Sequence, residues 1–234
     1  MTNKRLFTDK ELKDMGKRTL DAVFEAIDAG DKKKAKELAQ RMYGEFNHLH
    51  DGYFFWVTGL QSYIYRKLGI KAVEEAEREA HTIEAKVVFT PPEKTDLHSR
   101  VEHLASGLRG HLQPITLTED DEKITVTMKP CGSGERLIKM KGYEVGLARV
   151  KEANPITWGQ KDFPMYCVHC PVMEMLDIEN NGDFGTCHFI SDPIGKEHCV
   201  FVMYKDKKDI PEEFYKRIGK KKPAANRPGA AKKK

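Results

Sequence analysis

The chain has 234 residues, of which 39% are hydrophobic and 32% charged, and this balance excludes a disordered or fibrous protein. The polar N-terminus lacks the apolar segment of a signal peptide, and no run approaches about 18 apolar residues, so we expect a cytoplasmic protein that does not cross a membrane. The net charge of +4 is uneven: residues 205–234 contain 12 Lys and Arg against 4 Asp and Glu, which leaves residues 1–204 at −4.

Helical spacing of apolar residues dominates the first half of the chain. Thr8-Asp-Lys-Glu11 is a capping box, and it predicts a first helix that continues to Gly30. Asp31 is the predicted N-cap of a second helix, and a charged fourth helix covers residues 71–85. A fifth helix is expected between Pro91-Pro92 and Pro114.

The third helix is predicted from Gly52 to Leu68, with Gly69 as its C-cap. Its apolar face is expected to lie in the core and consists of Tyr53, Trp56, Val57, Leu60, Tyr63 and Ile64. Together the five helices predict an antiparallel helical bundle over residues 1–113.

From Ile115 onward the apolar period changes from 3.6 to 2 residues, which predicts strands. Residues 115–128 are expected to form a hairpin around the acidic turn 119–122, and two further strands are predicted at 184–190 and 199–204, joined by residues 191–195. We therefore expect an α+β protein in which the helical bundle is followed by a Cys-rich, metal-binding domain with a small antiparallel sheet, residues 114–219. Residues 220–234 are expected to be a disordered basic tail.

All five cysteines fall in that predicted second domain, and a reducing cytoplasm favours metal binding or catalysis over disulfides. Cys167 and Cys170 form a C-x-x-C pair, whose spacing lets both sulfurs reach one ion. Cys131 stands in Pro130-Cys-Gly-Ser-Gly134, a turn whose amides can stabilise a thiolate. These three residues are the predicted ligands, although buried cysteines that act as small hydrophobic residues are the alternative.

The sequence leaves the fourth ligand open, because several further cysteines and histidines are near enough in the chain. They are Cys187, Cys199, His169, His188 and His198. Zinc is the leading metal, and a [4Fe–4S] cluster is the alternative, since Pro171 follows Cys170 as in some ferredoxin sequences. A thioredoxin-like dithiol is disfavoured, because no βαβ pattern surrounds the C-x-x-C pair.

His48-Leu-His-Asp-Gly-Tyr53 lies at the predicted junction of the second and third helices. His50 and Asp51 there are candidates for a general base and its orienting partner, in a cleft shared with the metal domain. His169 is a further candidate for proton transfer beside a catalytic zinc. The simpler interpretation, which we prefer for the junction, is that Asp51 is the N-cap of the third helix.

The chain resembles a group of uncharacterised bacterial metal-binding proteins that share a Pro-Cys-Gly-Ser-Gly turn and a Cys-x-His-Cys pair. The matching segments here are Asp51 and Tyr53, Pro130–Gly134, Cys167–Cys170 and Cys199–Tyr215. The resemblance implies no activity, but it favours Cys199 over Cys187 as the fourth ligand.

The sequence therefore supports three functional hypotheses. The first is a zinc protein, with hydrolase or lyase activity on a small polar substrate if one coordination position is open. The second is a [4Fe–4S] protein in redox or cluster-dependent catalysis, and the third is a binding module with a structural zinc whose basic tail contacts nucleic acid without specificity.

Overall fold

The computed structural model describes residues 5–87, 96–111, 114–189 and 199–223. Helices and a small antiparallel sheet together confirm the α+β class. The helices in the described ranges are α1 (Asp9–Met15), α2 (Thr19–Asp28), α3 (Lys32–Leu68), α4 (Ile70–Val87), α5 (Leu97–Arg109), α6 (Gly134–Lys139), α7 (His169–Asn181) and α8 (Glu212–Arg217). Within those ranges no helix is long and apolar enough to cross a membrane.

The chain divides into two compact units, Met1–Tyr53 and Phe54–Lys234. This division comes earlier in the chain than the domain boundary predicted at residue 113, and both that boundary and the antiparallel packing of a bundle stay predictions. The first unit has a small core of Val23, Ala26 and Leu38.

The predicted start of the first helix is confirmed, because Thr8 and Glu11 form the reciprocal hydrogen bonds of a capping box. The helix does not continue to Gly30, however, since it ends at Met15 with Gly16 as its C-cap, and α2 begins at Thr19. Glycine has a low helix propensity and is common after a last helical turn, which accounts for the break. Asp31 caps the next helix as predicted, with its Oδ1 accepting the Lys34 amide hydrogen at 2.9 Å.

Helix α3 is one continuous helix of 37 residues, so the predicted junction between a second and a third helix is wrong. Asp51 and Gly52 lie inside it, and Asp51 is not an N-cap. A single interior glycine costs only about 1 kcal/mol, which is not enough to break a long cooperative helix. Gly69 ends α3 as expected, with a left-handed φ of 85°.

The predicted apolar face of α3 is mostly exposed to solvent, contrary to the expectation of a core position. Leu60 and Tyr63 are 52% and 58% exposed, whereas Thr58, Gln61 and Ser62 are buried. The burial of small and polar side chains is stabilised by hydrogen bonds, since the Ser62 hydroxyl donates to the Thr58 carbonyl and accepts the Ala148 amide hydrogen.

The second unit contains a four-stranded antiparallel sheet in the order β1-β2-β6-β5. The strands are β1 (Ile115–Glu119), β2 (Lys123–Met128), β5 (Cys187–Phe189) and β6 (Val200–Tyr204). The predicted hairpin is confirmed by the pairing of β1 with β2, and the predicted joining segment 191–195 lies outside the described residues. A second, two-stranded sheet pairs β3 (Arg149–Val150) with β4 (Phe163–Pro164).

Helix α7 lies at the centre of this unit, and the sequence analysis did not predict it. Val172 and Met175 on α7 belong to the main buried cluster, which also contains Phe184, Phe214 and Tyr215. This core fixes the start of α7, where the C-x-x-C pair lies.

Candidate metal centre

The C-x-x-C pair lies where a short strand gives way to a helix. After β4, a 3₁₀ turn over Met165–Val168 holds Cys167, and Cys170 is in the first turn of α7. A helix that follows a strand is typical of redox dithiols, but β4 pairs antiparallel with β3, so these elements form no βαβ unit. All five cysteines are free thiols.

The glycine-rich turn brings Cys131 and Cys167 together. Gly134 begins α6, and a Cβ atom added to it would lie 2.6 Å from the Cys167 sulfur. Real Cβ atoms do not approach a sulfur so closely, so any residue other than glycine requires the Cys167 sulfur to shift. The Cys131 amide donates to a Glu135 carboxylate oxygen at 2.8 Å, which holds the turn in shape.

The sulfur of Cys131 is surrounded by hydrogen-bond donors. Interaction with the nearby Cys199 thiol is the main reason why the pKa of Cys131 falls to about 5. Burial opposes this change, and the backbone N–H groups of Ser133, Glu135 and Gly134 add to it. The amides of the turn therefore help to lower the pKa of Cys131, and the role of this cysteine as a metal ligand stays a prediction.

Cys131, Cys167, Cys170 and Cys199 lie near enough to one another for their charges to interact, and we call them the four-cysteine cluster. Burial raises the pKa of Cys167, and the thiolates of Cys170 and Cys131 raise it further. The pKa of Cys170 is raised by burial and then by Cys131, while that of Cys199 is raised first by its bond to Cys131. Without a counter-ion, the cluster therefore keeps most of its protons.

Cys187 lies apart from the four-cysteine cluster. It is buried on β5 opposite Val202, and burial followed by the charge of Glu174 raises its pKa. Among the described residues, no three His, Cys, Asp or Glu side chains lie close enough to hold a metal ion as they stand. The sulfurs of the cluster would have to rotate toward a common centre to bind one.

His169 lies between the two cysteines of the pair and contacts the second. Its Nε2 is 3.4 Å from the Cys170 sulfur, and its Nδ1 is 2.7 Å from the Tyr166 carbonyl oxygen. A neutral ring with the proton on Nδ1 satisfies the carbonyl and directs a lone pair at the Cys170 thiol. The predicted role of His169 in proton transfer is compatible with this position. His188, in contrast, is bonded to Glu174, and His198 lies outside the described residues.

No protein-family model matches the chain, and no curated protein matches it. The resemblance to bacterial metal-binding proteins therefore stays a prediction.

Helix α4 adds a polar group beside His169 that the sequence analysis missed. Glu77 and His81 are four residues apart on one face, with the Glu77 carboxylate 3.5 Å from the His81 Nε2. Gln61 donates to the other Glu77 oxygen at 2.5 Å, and the rings of His81 and His169 are 6.1 Å apart. We call Gln61, Glu77 and His81 the Glu77 group.

The Glu77 group keeps a negative charge close to the cysteines. Burial alone would raise the pKa of Glu77, but the bonds to His81 and Gln61 outweigh it and lower the pKa. The Glu77 charge in turn helps to raise the pKa of Cys170. The i, i+4 spacing of Glu77 and His81 is visible in the sequence, but it does not distinguish this buried pair from the many charged residues of α4, most of which face solvent in proteins.

A second buried carboxylate, Glu174, stands one turn after Cys170 on α7. It accepts hydrogen bonds from the Trp158 indole at 2.6 Å, the His188 amide at 2.7 Å and the Arg217 guanidinium at 2.5 Å. Arg217 also covers the ring of Trp158, with 4.7 Å between its central carbon and the ring centroid. Because Glu174 is fully buried and fully bonded, we assign it a structural role.

His50 and Asp51 lie on α3 in the first unit, with 3.6 Å between the His50 Nδ1 and an Asp51 oxygen. His50 is buried and its ring packs against Phe46. The junction that was expected to project them into a cleft does not exist, since α3 is unbroken there. Their participation in catalysis stays a prediction without this geometric basis.

The predicted basic tail begins with ordered contacts. Lys220 donates to Glu179 at 2.7 Å, and Lys222 donates to the carbonyl oxygens of Lys208 and Ile210. Residues 224–234 lie outside the described residues. Binding of nucleic acid by the tail stays a prediction.

Proposed function

We propose that this chain is a cytoplasmic metalloprotein whose metal, zinc in the leading case, is held by the four-cysteine cluster. The observation that carries the proposal is the close approach of the Cys131 turn to Cys167 at the start of α7, where Gly134 leaves no room for a Cβ beside the Cys167 sulfur. The charges of Cys131, Cys167 and Cys170 also raise the pKa of Cys199, whereas none of them is among the main causes of the raised pKa of Cys187. This difference supports Cys199 as the fourth ligand.

The chemistry of the donor set suits a soft metal centre. Zinc and iron–sulfur clusters prefer thiolate ligands. Metal binding would displace the protons that burial keeps on Cys167 and Cys170 and that the interaction with Cys131 keeps on Cys199. Four thiolates would fill a tetrahedral shell and leave no position for water. The donor set therefore favours a structural zinc or a [4Fe–4S] cluster over a zinc that activates water.

The proposal is tested by metal analysis of the purified protein. We expect one zinc per chain in the wild type and in the Cys187→Ala variant, which is the matched control. The Cys131→Ala and Cys199→Ala variants should each lose most of the zinc. Replacement of zinc by Co²⁺ in the wild-type protein should give thiolate charge-transfer bands in the near ultraviolet.

Anaerobically purified protein that is brown and contains iron and sulfide would favour the [4Fe–4S] alternative. Loss of metal in Cys187→Ala with retention in Cys199→Ala would reverse the ligand assignment. Protein without stoichiometric metal, even when it is produced with zinc and with iron in excess, would refute the proposal.

A hydrolase or lyase acting on a small polar substrate is the second candidate, and the Glu77 group is the observation that favours it. His169 contacts the Cys170 sulfur and its ring lies 6.1 Å from the ring of His81, which supports these two histidines, rather than His50 and Asp51, as the groups that would exchange protons with a substrate. This function requires one cysteine to be displaced from the metal. A Co²⁺ spectrum of four thiolates that does not change with candidate substrates would contradict it.

The third candidate is a nucleic-acid-binding module whose contacts come from the basic tail. Truncation after Pro223 removes four Lys and Arg and spares the ordered lysines Lys220 and Lys222. If the tail binds nucleic acid, this truncation should abolish a salt-sensitive affinity for a duplex of arbitrary sequence, and an unchanged affinity would exclude the tail.

A further inference from the structure

Large apolar side chains repeat along α3 at alternating steps of four and three residues. We call them the α3 stripe, and they are Met42, Phe46, Leu49, Tyr53, Trp56, Leu60 and Tyr63. This spacing is the 3.5-residue period of helices that pack along one another in coiled coils.

The α3 stripe is exposed in the single chain. Leu49, Tyr53 and Trp56 are 57%, 52% and 63% exposed, and Leu60 and Tyr63 are exposed to a similar extent. Together these five side chains present roughly 600 Å² to solvent, if a full aromatic or leucine side chain is taken as about 150–250 Å². Contiguous apolar patches of this size mark interaction surfaces.

The area is sufficient for a dimer of this chain. Two copies that cover each other's stripe would bury about 1,200 Å², which is the lower end of the range for stable protein interfaces. The stripe spans more than five helical turns, so a single helix of equal length is the partner that covers it.

Two glycines beside the stripe are suited to the close approach of a second helix. Gly52 and Gly59 are one heptad apart in the interior of α3, and a Cβ added to either would meet no atom within 4 Å. Each costs the helix about 1 kcal/mol relative to alanine, and among the described residues no atom lies within 4 Å of either Cβ position. A partner backbone that comes close at these positions gives them a packing role.

We propose that the α3 stripe is the interface of a homodimer in which two α3 helices pack antiparallel about a two-fold axis. From Phe46 to Tyr63 the steps of three and four residues read the same in both directions, so Leu49 then meets Leu60 of the partner subunit. Tyr53 in the same way meets Trp56 of the partner subunit.

The residues that border the stripe obey the same symmetry. Antiparallel pairing brings Gly52 beside Gly59 of the partner subunit, so that the two backbones approach where both lack side chains. It also brings Arg66 of the partner subunit beside Glu45, whose carboxylate already accepts hydrogen bonds from Thr19 and Arg41 in its own chain. A second copy is therefore complementary to this face in shape.

The oligomeric state of the full chain tests the proposal. Light scattering after size exclusion at micromolar concentration should give twice the chain mass for the wild type. The Leu60→Glu variant, which places a charge in the middle of the interface at an exposed site, should give one chain mass. Gln40→Glu adds the same charge at an exposed position away from the stripe and should remain a dimer.

A second variant separates loss of the interface from loss of the fold. Gly59→Leu improves the helix propensity of α3, and its Cβ would meet no atom within 4 Å, so its helix content should be kept. Its mass, in contrast, should fall toward that of one chain. A monomeric wild type, or a Leu60→Glu protein that stays dimeric, would overturn the proposal. The zinc content is expected to be the same in all four proteins, so this test does not depend on the metal centre.

Discussion

The contact between Gly134 and Cys167 gives the sharpest prediction about the candidate metal centre. In Gly134→Ala the new Cβ would stand 2.6 Å from the Cys167 sulfur, about 1 Å closer than a normal contact of heavy atoms. Cys167 is only 5% exposed and cannot move into solvent. Overpacking of this kind costs about 1–3 kcal/mol, so the melting temperature should fall by roughly 2–12 °C for a chain of this length.

Urea and thermal unfolding, followed by circular dichroism, measure this cost in the metal-free and the zinc-loaded protein. The loss should be larger with zinc, because displacement of the Cys167 sulfur also weakens the bound metal. Gly107→Ala is the matched control, since its Cβ would meet no atom within 4 Å on helix α5 and should stabilise the protein by up to about 1 kcal/mol. The reasoning is refuted if Gly134→Ala is as stable as wild type or gains stability like the control.

Two further predictions concern the charges of the second unit. Glu174→Ala should lower the free energy of unfolding, measured in urea, by about 3–5 kcal/mol, because it leaves the Arg217 guanidinium without its buried partner. A loss below about 1 kcal/mol would contradict the structural role of Glu174. In the metal-free protein, the rate at which iodoacetamide alkylates Cys131 should be nearly constant above pH 6 and fall below pH 5, since a pKa of about 5 keeps the thiolate down to that pH. In Cys199→Ala, which removes the main donor, the fall in rate should begin at higher pH. A rate in the wild type that rises tenfold per unit between pH 6 and pH 8 would show an ordinary thiol.

The local features of the sequence were predicted well. The capping box at Thr8, the cap at Asp31, the left-handed Gly69 and the hairpin at 115–128 are all present. Each of these depends on hydrogen bonds or backbone angles within a few residues, and short-range rules describe such interactions adequately.

The wrong predictions concern helix boundaries, where the low helix propensity of a single residue is opposed by the stability of the surrounding helical turns. Gly52 was read as the start of a helix, although a glycine at that site lowers helix stability by less than the surrounding turns supply. Helix α7 was not predicted. Its first turn contains the second cysteine of the C-x-x-C pair, and this motif is typical of metal-binding turns as well as of helix starts.

By itself, the sequence determined the α+β class, the hairpin and the C-x-x-C pair, because these follow from periodicity, composition and residues close in the chain. Only the tertiary structure decided that Cys199 joins Cys131, that Glu77 and His81 stand beside His169, and that the apolar face of α3 points outward. Which distant segments meet, and which face of an amphipathic helix is covered, depends on the packing of the whole chain. A period of 3.5 or 3.6 residues shows that a helix has an apolar face, but it does not show whether this chain or a second copy covers it.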